Sequence, residues 1–411
     1  EIKGGAPFGL RLMGKALRGW LHGKDPEETL EFTRHMEELK RRYEEVPGYF
    51  EDYLRRLLLD NPHRSTVTVE PDSAYLQNLN AEIEEAVKEH PDVVDEDGAE
   101  RIREDLSRFG EFQSTPDSPD NIARIPTLSR DDLPEDISTI ETGREDVNGV
   151  PVFTHRLYTN GIAYVDIAFN LRGLSDEELT LLPLLGKMIS SSGLEGVPYD
   201  EVARRLALST GGLYHSLESS PLVGRPDEVS SMLLFRLKSL YQNMDEALEL
   251  ARSIIRESRV DDTARLREIF SELRNDMRSA VVPAGHSFAA LRAGSHLKAS
   301  VALDDRWRGI GQLEFLAGLA EGDGAALDEV AGKLRALRDR IVTRERMLLN
   351  ITAEEEHFDG VRAAVLEKTA GLPEGREKDG LGSASATGET AAATLATATT
   401  VLAPKPHDVA E

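Results

Sequence analysis

The sequence holds ten histidines, at positions 22, 35, 63, 90, 155, 215, 286, 296, 357 and 407, and no cysteine. Histidine is the side chain best suited to hold a transition metal or act as a base near neutral pH. Two histidines four apart on a helix place both imidazoles on one face. The H-x-x-E-H arrangement uses this to hold zinc, and its Glu activates the metal-bound water. No two histidines here lie three to five apart, and the closest pair, His286 and His296, is ten apart. His35-Met36-Glu37-Glu38-Leu39 begins like the motif but has Leu where the second His belongs, so it reads as a charged helix face. Glu354-Glu355-Glu356-His357 reads as an acidic cluster at a helix N-terminus, where the dipole favours carboxylates.

Other chemistries are also unsupported. Without cysteine there are no disulfides, thiolate zinc sites or cysteine nucleophiles. The sequence has no G-x-S-x-G, no G-x-x-x-x-G-K-[ST] and no G-x-G-x-x-G, so no nucleophile elbow and no phosphate or dinucleotide cradle is signalled. Asp131-Asp132 and Asp261-Asp262 fall at loop-to-helix junctions, and N-capping explains the second more simply than acid–base catalysis.

The net charge is −25, from 49 basic and 74 acidic residues, and no basic patch stands out. Binding to nucleic acid through phosphate neutralisation is therefore not expected. The acidity reads as solubility or salt adaptation, or as a surface that attracts basic peptides. No window reaches about 18 uninterrupted apolar residues, so no membrane-spanning helix and no membrane partner is expected. Lack of cysteine fits a reducing compartment, cytoplasm or organelle lumen. The chain starts at Glu1 rather than Met and shows no secretory signal, which reads as a cut edge.

At 411 residues, two or three domains are expected. Residues 1–72 read as helices followed by a closing strand. Leu10, Met13, Ala16, Leu17, Trp20 and Leu21 recur at helical spacing, Asp25-Pro26 starts a second helix, and Phe50 to Leu58 mark a third. Ser65 to Glu70 alternate as a strand. Residues 73–137 read as a charged helical hairpin, broken between Pro91 and Gly98, and then an extended link with four prolines that disfavour helix. Residues 138–369 form the main domain. It has strands at 148–170, 212–219, 229–240 and 346–352, and helices at 244–257, 262–282, 285–301 and 325–340, with two more before Gly211. Strands, then helices in bulk, then one strand is an α+β layer: helices packed on one face of a mainly antiparallel sheet, preceded by the helical hairpin connector. Residues 370–411 are Ala/Thr-rich and read as a flexible linker.

Within the main domain, Asn148 to Asn170 reads as a β-hairpin turning at Thr159-Asn160-Gly161, because Asn-Gly tolerates positive φ at both central positions. Thr210-Gly211-Gly212 reads structurally as a helix C-cap leading into a strand, and functionally as backbone beside a peptide-binding cleft. Asn160, Gly161, Gly211 and Gly212 are therefore the structural-turn or cleft-edge candidates. No catalytic residue and no metal ligand is assigned.

The order of these features resembles a known family. Gly9 to Met13 with Trp20, Asn61-Pro62-His63, Pro71-Asp72, Thr115-Pro116-Asp117, Ile125-Pro126, Thr159-Asn160-Gly161 with Tyr164, and Ser209-Thr210-Gly211-Gly212 follow one another over most of the chain. Together they resemble the presequence-protease branch of the pitrilysin/insulinase-type zinc metallopeptidases. The resemblance implies four homologous α/β domains in two halves, joined by a hairpin and closing around peptide substrates. It implies a zinc site in the first domain, which this chain lacks, and substrate-contacting Arg and Tyr in a fourth domain beyond Glu411. The chain would then be the end of the second domain, the hinge and a non-catalytic third domain, with the remaining domains of the same enzyme as partners. It would bind no cofactor itself. The alternatives are a stand-alone non-catalytic partner subunit and a helical peptide-binding scaffold, the latter expected to lack an antiparallel sheet between Gly149 and Ile351.

Overall fold

Side-chain caps start three of the described helices, at Ser118, Ser175 and Asp262. The computed structural model describes residues 8–90, 96–132, 139–222, 224–321 and 324–375. The Ala/Thr-rich segment from residue 376, the stretch 91–95 and Leu133-Pro134 lie outside the described residues. The chain divides into two units, Glu1–Asp136 and Ile137–Glu411.

In the first unit, helices α1 (Phe8–Trp20), α2 (Phe32–Glu45) and α3 (Tyr49–Leu54) precede a π-helical turn at Arg55–Leu59. Asp25-Pro26 does not start a helix. Asp25 Oδ1 accepts from Glu27 N at 2.9 Å, closing a turn instead, and α2 begins at Phe32. Ser65 to Glu70 is not a strand: it pairs with no other strand among the described residues, and Val67 and Val69 are exposed. A strand needs a neighbour to take up its backbone groups, and every named strand among the described residues lies in the second unit. Helices α4 (Tyr75–Glu89) and α5 (Glu96–Ser114) make up the charged helical segment. In the proline-rich link, Pro119–Ile122 forms one helical turn, α6. Pro119 occupies the tolerated first position, and Ser118 Oγ accepts from Asn121 N.

The second unit is built on one six-stranded sheet of order β1-β2-β6-β3-β5-β4. The strands are β1 (Gly143–Val147), β2 (Val150–Arg156), β3 (Ile162–Asn170), β4 (Gly212–Leu222), β5 (Arg225–Leu240) and β6 (Met347–Ala353). Among the described strands β2 and β6 pair in parallel and the other pairs are antiparallel. The sheet removes what distinguished the helical-scaffold reading. It also corrects the hairpin. β2 and β3 are consecutive but not neighbours, because β6 inserts between them, with Val165 opposite Ile351 and Thr154 opposite the same residue from the other side. The hairpin lies one turn earlier, between β1 and β2, at Asn148 (φ 54°) and Gly149 (φ 83°). Asn160 (φ 55°) and Gly161 (φ 76°) have the same left-handed geometry but connect two strands separated by β6.

One face of the sheet carries the helices. Val152, Val165, Ile167, Phe169, Phe235, Leu237, Leu349 and Ile351 join Leu182, Leu185, Met188 and Ile189 of α7 (Asp176–Ser191) in the main core. Helices α9 (Met244–Glu257) and α15 (Glu355–Ala370) add Ala251, Ile254, Phe358 and Val365. Full burial of each such aliphatic or aromatic side chain is worth about 1.5–3 kcal/mol. A capping box starts α7, with Ser175 Oγ accepting from Glu178 N and Glu178 accepting from Ser175 N. Helix α8 (Tyr199–Ser209) precedes β4. Between α9 and β6 lie α10 (Thr263–Val281), capped by Asp262, then α11 (Gly285–Gly294), α12 (Ala299–Arg308), α13 (Ile310–Glu321) and α14 (Gly324–Ile341). The single helix expected over 285–301 is thus two, broken after Gly294.

Candidate functional site

The sequence candidates gather at one end of this sheet. Gly161 O accepts from Tyr241 N at 3.1 Å, and Gly211 N donates to Lys238 O at 2.8 Å, so the Asn160-Gly161 and Gly211-Gly212 turns both border the end of β5. Gly212 has φ 129°, which favours glycine, and a Cβ there would overlap the Tyr214 ring. Thr210, not a glycine, caps α8, and its Oγ1 accepts from Gly212 N at 3.0 Å.

A carboxylate far along the chain holds the Asn160-Gly161 turn. Glu354 Oε1 accepts from the backbone N–H groups of Thr159 (3.1 Å) and Gly161 (3.2 Å). Beside it, the His357 ring stacks on Tyr241, with centroids 3.6 Å apart and planes at 14°. Arg156, the last residue of β2, pairs with Glu355 (2.7 Å) and Asp359 (3.0 Å) and lies over the Phe358 ring. Glu354, Glu356 and His357 can each bring a ligand atom within 4.8 Å of one another. This trio does not fit a zinc centre. Glu354 is committed to two amides, and the positive end of the α15 dipole opposes a cation. The four residues of this acidic cluster sit at the helix start, as their pattern predicts.

The second face of the sheet is polar at its centre. Asn350, Asp166, Arg236 and Tyr214 stand opposite one another on β6, β3, β5 and β4. Asn350 Nδ2 donates to Asp166 Oδ2 at 3.1 Å, and Arg236 Nε lies 3.9 Å from Asp166 Oδ1. Burial pushes the Asp166 carboxyl above its usual range, against the pull of the Asn350 hydrogen bond and of the Arg236 and His155 charges. One pair along, Tyr164 stands opposite Lys238, whose ammonium lies 5.8 Å from the centroid of Tyr214. Tyr164 and Tyr214 are exposed. Phe153, Ala168, Met232, Leu234 and Leu348 form a small apolar cluster at the other end of this face.

On the helical face, His215 Nδ1 lies 2.9 Å from Ser190 Oγ. Burial, with help from the Lys187 charge, lowers the His215 pKa to about 4. A Cβ on Gly186 would stand 3.1 Å from His215 Nε2, so that nitrogen abuts α7 backbone and has no room for a substrate. The pair is packing, not a catalytic dyad.

The sequence reading missed Tyr164, Asp166, Tyr214, Arg236, Lys238 and Asn350 as a group. The period-2 polar residues of β3 and β5 were visible, but the register that aligns them is not local.

The family described as peptidase M16-C associated matches residues 69–319. Among similar proteins, "Protein HypA" of Clostridium perfringens is 26% identical over 362 residues, covering 88% of this chain and 37% of that protein. "Presequence protease 1, chloroplastic/mitochondrial" of Arabidopsis thaliana is 27% identical over 380 residues, 90% of this chain and 34% of that protein. "Presequence protease, mitochondrial" of Yarrowia lipolytica is 27% identical over 346 residues, 83% of this chain and 34% of that protein. The chain thus spans about a third of the length of the relatives it matches. No described helix is long and apolar enough to cross a membrane. A match over more than half the chain, with collinear similarity to presequence proteases, places it in a family: the chain belongs to the peptidase M16-C associated family.

Proposed function

We propose that this chain is a non-catalytic part of a zinc-dependent metalloendopeptidase that degrades peptides such as targeting presequences. In this reading residues 1–72 end a preceding peptidase domain, 73–137 are a hinge with its linker, 138–369 are a peptidase-like domain that lines part of a closed chamber, and 370–411 link onward. The parent's zinc is held by a first domain outside this sequence. Peptide substrates and the remaining domains of the same enzyme are its partners.

The observation that carries the reading is a mismatch. The chain aligns along nearly all its length with presequence proteases, yet its histidines offer no pair spaced for H-x-x-E-H. Hinge motion would let peptides enter and would sequester them on closure. Equilibrium dialysis against zinc tests the assignment of the metal. The purified chain is expected to retain well under one equivalent, and stoichiometric retention would contradict it. Reading the coding sequence upstream of Glu1 gives a second check, since H-x-x-E-H is expected there.

A further inference from the structure

Asn-Gly occurs twice in the sequence, at Asn148-Gly149 and Asn160-Gly161. Both pairs have the same left-handed backbone, with Asn φ of 54° and 55°, and both asparagines are exposed. Asn-Gly is also the dipeptide most open to spontaneous deamidation, because glycine leaves the next backbone nitrogen uncovered. In that reaction the Gly nitrogen attacks the Asn Cγ as its own proton is lost. The N–Cγ bond forms, the Cγ–Nδ2 bond breaks, and ammonia leaves carrying the proton. Water then opens the succinimide ring at either carbonyl, giving Asp or isoaspartate. A left-handed ψ turns the Gly nitrogen away from the Asn side chain, so each turn has to open locally before the ring can close.

The two turns differ in what holds them closed. At Asn148 the restraint is local. Gly149 N donates to Asp146 Oδ1 at 2.8 Å, within a hairpin whose first strand, β1, is the edge of the sheet. Among the described residues the Asn148 side chain has no hydrogen bond. At Asn160 the restraints are distant in sequence and more numerous. Glu354 Oε1 accepts from both Thr159 N and Gly161 N, and Tyr241 N donates to Gly161 O. The Asn160 side chain is itself held, since Tyr158 OH donates to its Oδ1 at 3.1 Å. Each Gly N–H faces a carboxylate, which opposes loss of its proton in both turns, so the further bonds at Asn160 decide the difference. We infer that Asn148 is a site of spontaneous deamidation and that Glu354, with Tyr158, shields Asn160 from the same reaction. The inference is independent of any peptidase role. Isoaspartate at position 148 adds a methylene to the backbone of the two-residue loop, and either product adds a negative charge near Asp146.

The test is the rate at which each asparagine is converted in the purified chain at pH 7.5, read by peptide mapping and mass spectrometry. Trypsin cleavage after Arg144, Arg156 and Arg172 places the two asparagines on separate peptides. In urea, where both turns are lost, the two rates should agree within about twofold, since Gly follows both residues. In the folded chain Asn148 should convert at least about tenfold faster than Asn160. Glu354→Ala should speed Asn160 at least about fivefold and leave Asn148 unchanged, so that Asn148 reports on the fold within the same molecule. If Glu354→Ala speeds both residues alike, the domain has loosened as a whole, and Tyr158→Phe, which removes one hydroxyl, decides: Asn160 alone should quicken. The inference is overturned if the folded rates are alike, if Asn160 converts first, if Asn148 is unconverted when the unfolded chain has reacted, or if neither variant speeds Asn160 selectively.

Discussion

Trp307 Nε1 donates a 3.0 Å hydrogen bond to the carbonyl of Leu179, whose helical partner four residues on would be Pro183. Proline has no N–H, so an interior proline orphans the carbonyl four residues before it. The indole of α12 supplies the missing donor across 128 residues of sequence. Trp307→Phe keeps most of the ring volume and removes the donor. It is expected to cost about 1–3 kcal/mol in urea unfolding, the penalty for a buried unpaired carbonyl. If Pro183→Ala, which restores an N–H, is added, the loss should shrink. A Trp307→Phe cost unchanged by Pro183→Ala would show that the bond does not compensate the proline.

His215 makes stability depend on pH. Its unfolded value is near 6.5 and its folded value about 4, so the unfolded chain binds more protons between them. The stabilisation is complete above about pH 6.5 and is lost as pH falls toward about 4, amounting to about 3 kcal/mol by then. Unfolding free energies of the chain and of His215→Gln, measured at pH 7.5 and 4.5, should converge at the lower pH. A constant difference would contradict the buried neutral imidazole.

Gly186→Ala should destabilise the domain although Ala is the better helix former by about 1 kcal/mol. The added Cβ would stand 2.5 Å from His215 Cδ2, and this overpacking is expected to outweigh the gain, by about 1–3 kcal/mol overall. A rise in Tm would contradict the close approach of α7 and β4.

Asp166 titrates in the opposite sense. Burial raises its folded pKa, so its contribution is present at low pH and is lost as pH rises through that value. Asp166→Asn cannot ionise, so its stability relative to the parent chain should rise from pH 4 to pH 8. The reverse trend would mean that the Arg236 charge dominates over burial.

How much of this was legible depended on whether a feature was local. The limits of α9, Met244–Glu257, follow from periodicity, and Asp262 caps α10 as its position suggests. The capping box at Ser175 and Glu178 was written in the sequence as S-x-x-E but passed unread. Two Asn-Gly turns have the same backbone geometry, yet only Asn148-Gly149 joins neighbouring strands. The insertion of β6 between β2 and β3 is decided nearly two hundred residues downstream, by a strand buried along its whole length. Ser65 to Glu70 shows the converse: alternation without a partner among the described residues gives no strand. The aligned Asn350, Asp166 and Arg236 needed the register of three strands, which no local pattern carries.

Peptide hydrolysis distinguishes a non-catalytic chain from an active peptidase. A quenched fluorogenic peptide is incubated with the purified chain plus zinc, and in parallel with the longer protein that includes the upstream sequence, with and without a chelator. No hydrolysis by this chain above the buffer rate is expected, and chelator-sensitive hydrolysis is expected of the longer protein. Zinc-dependent cleavage by residues 1–411 alone would contradict it.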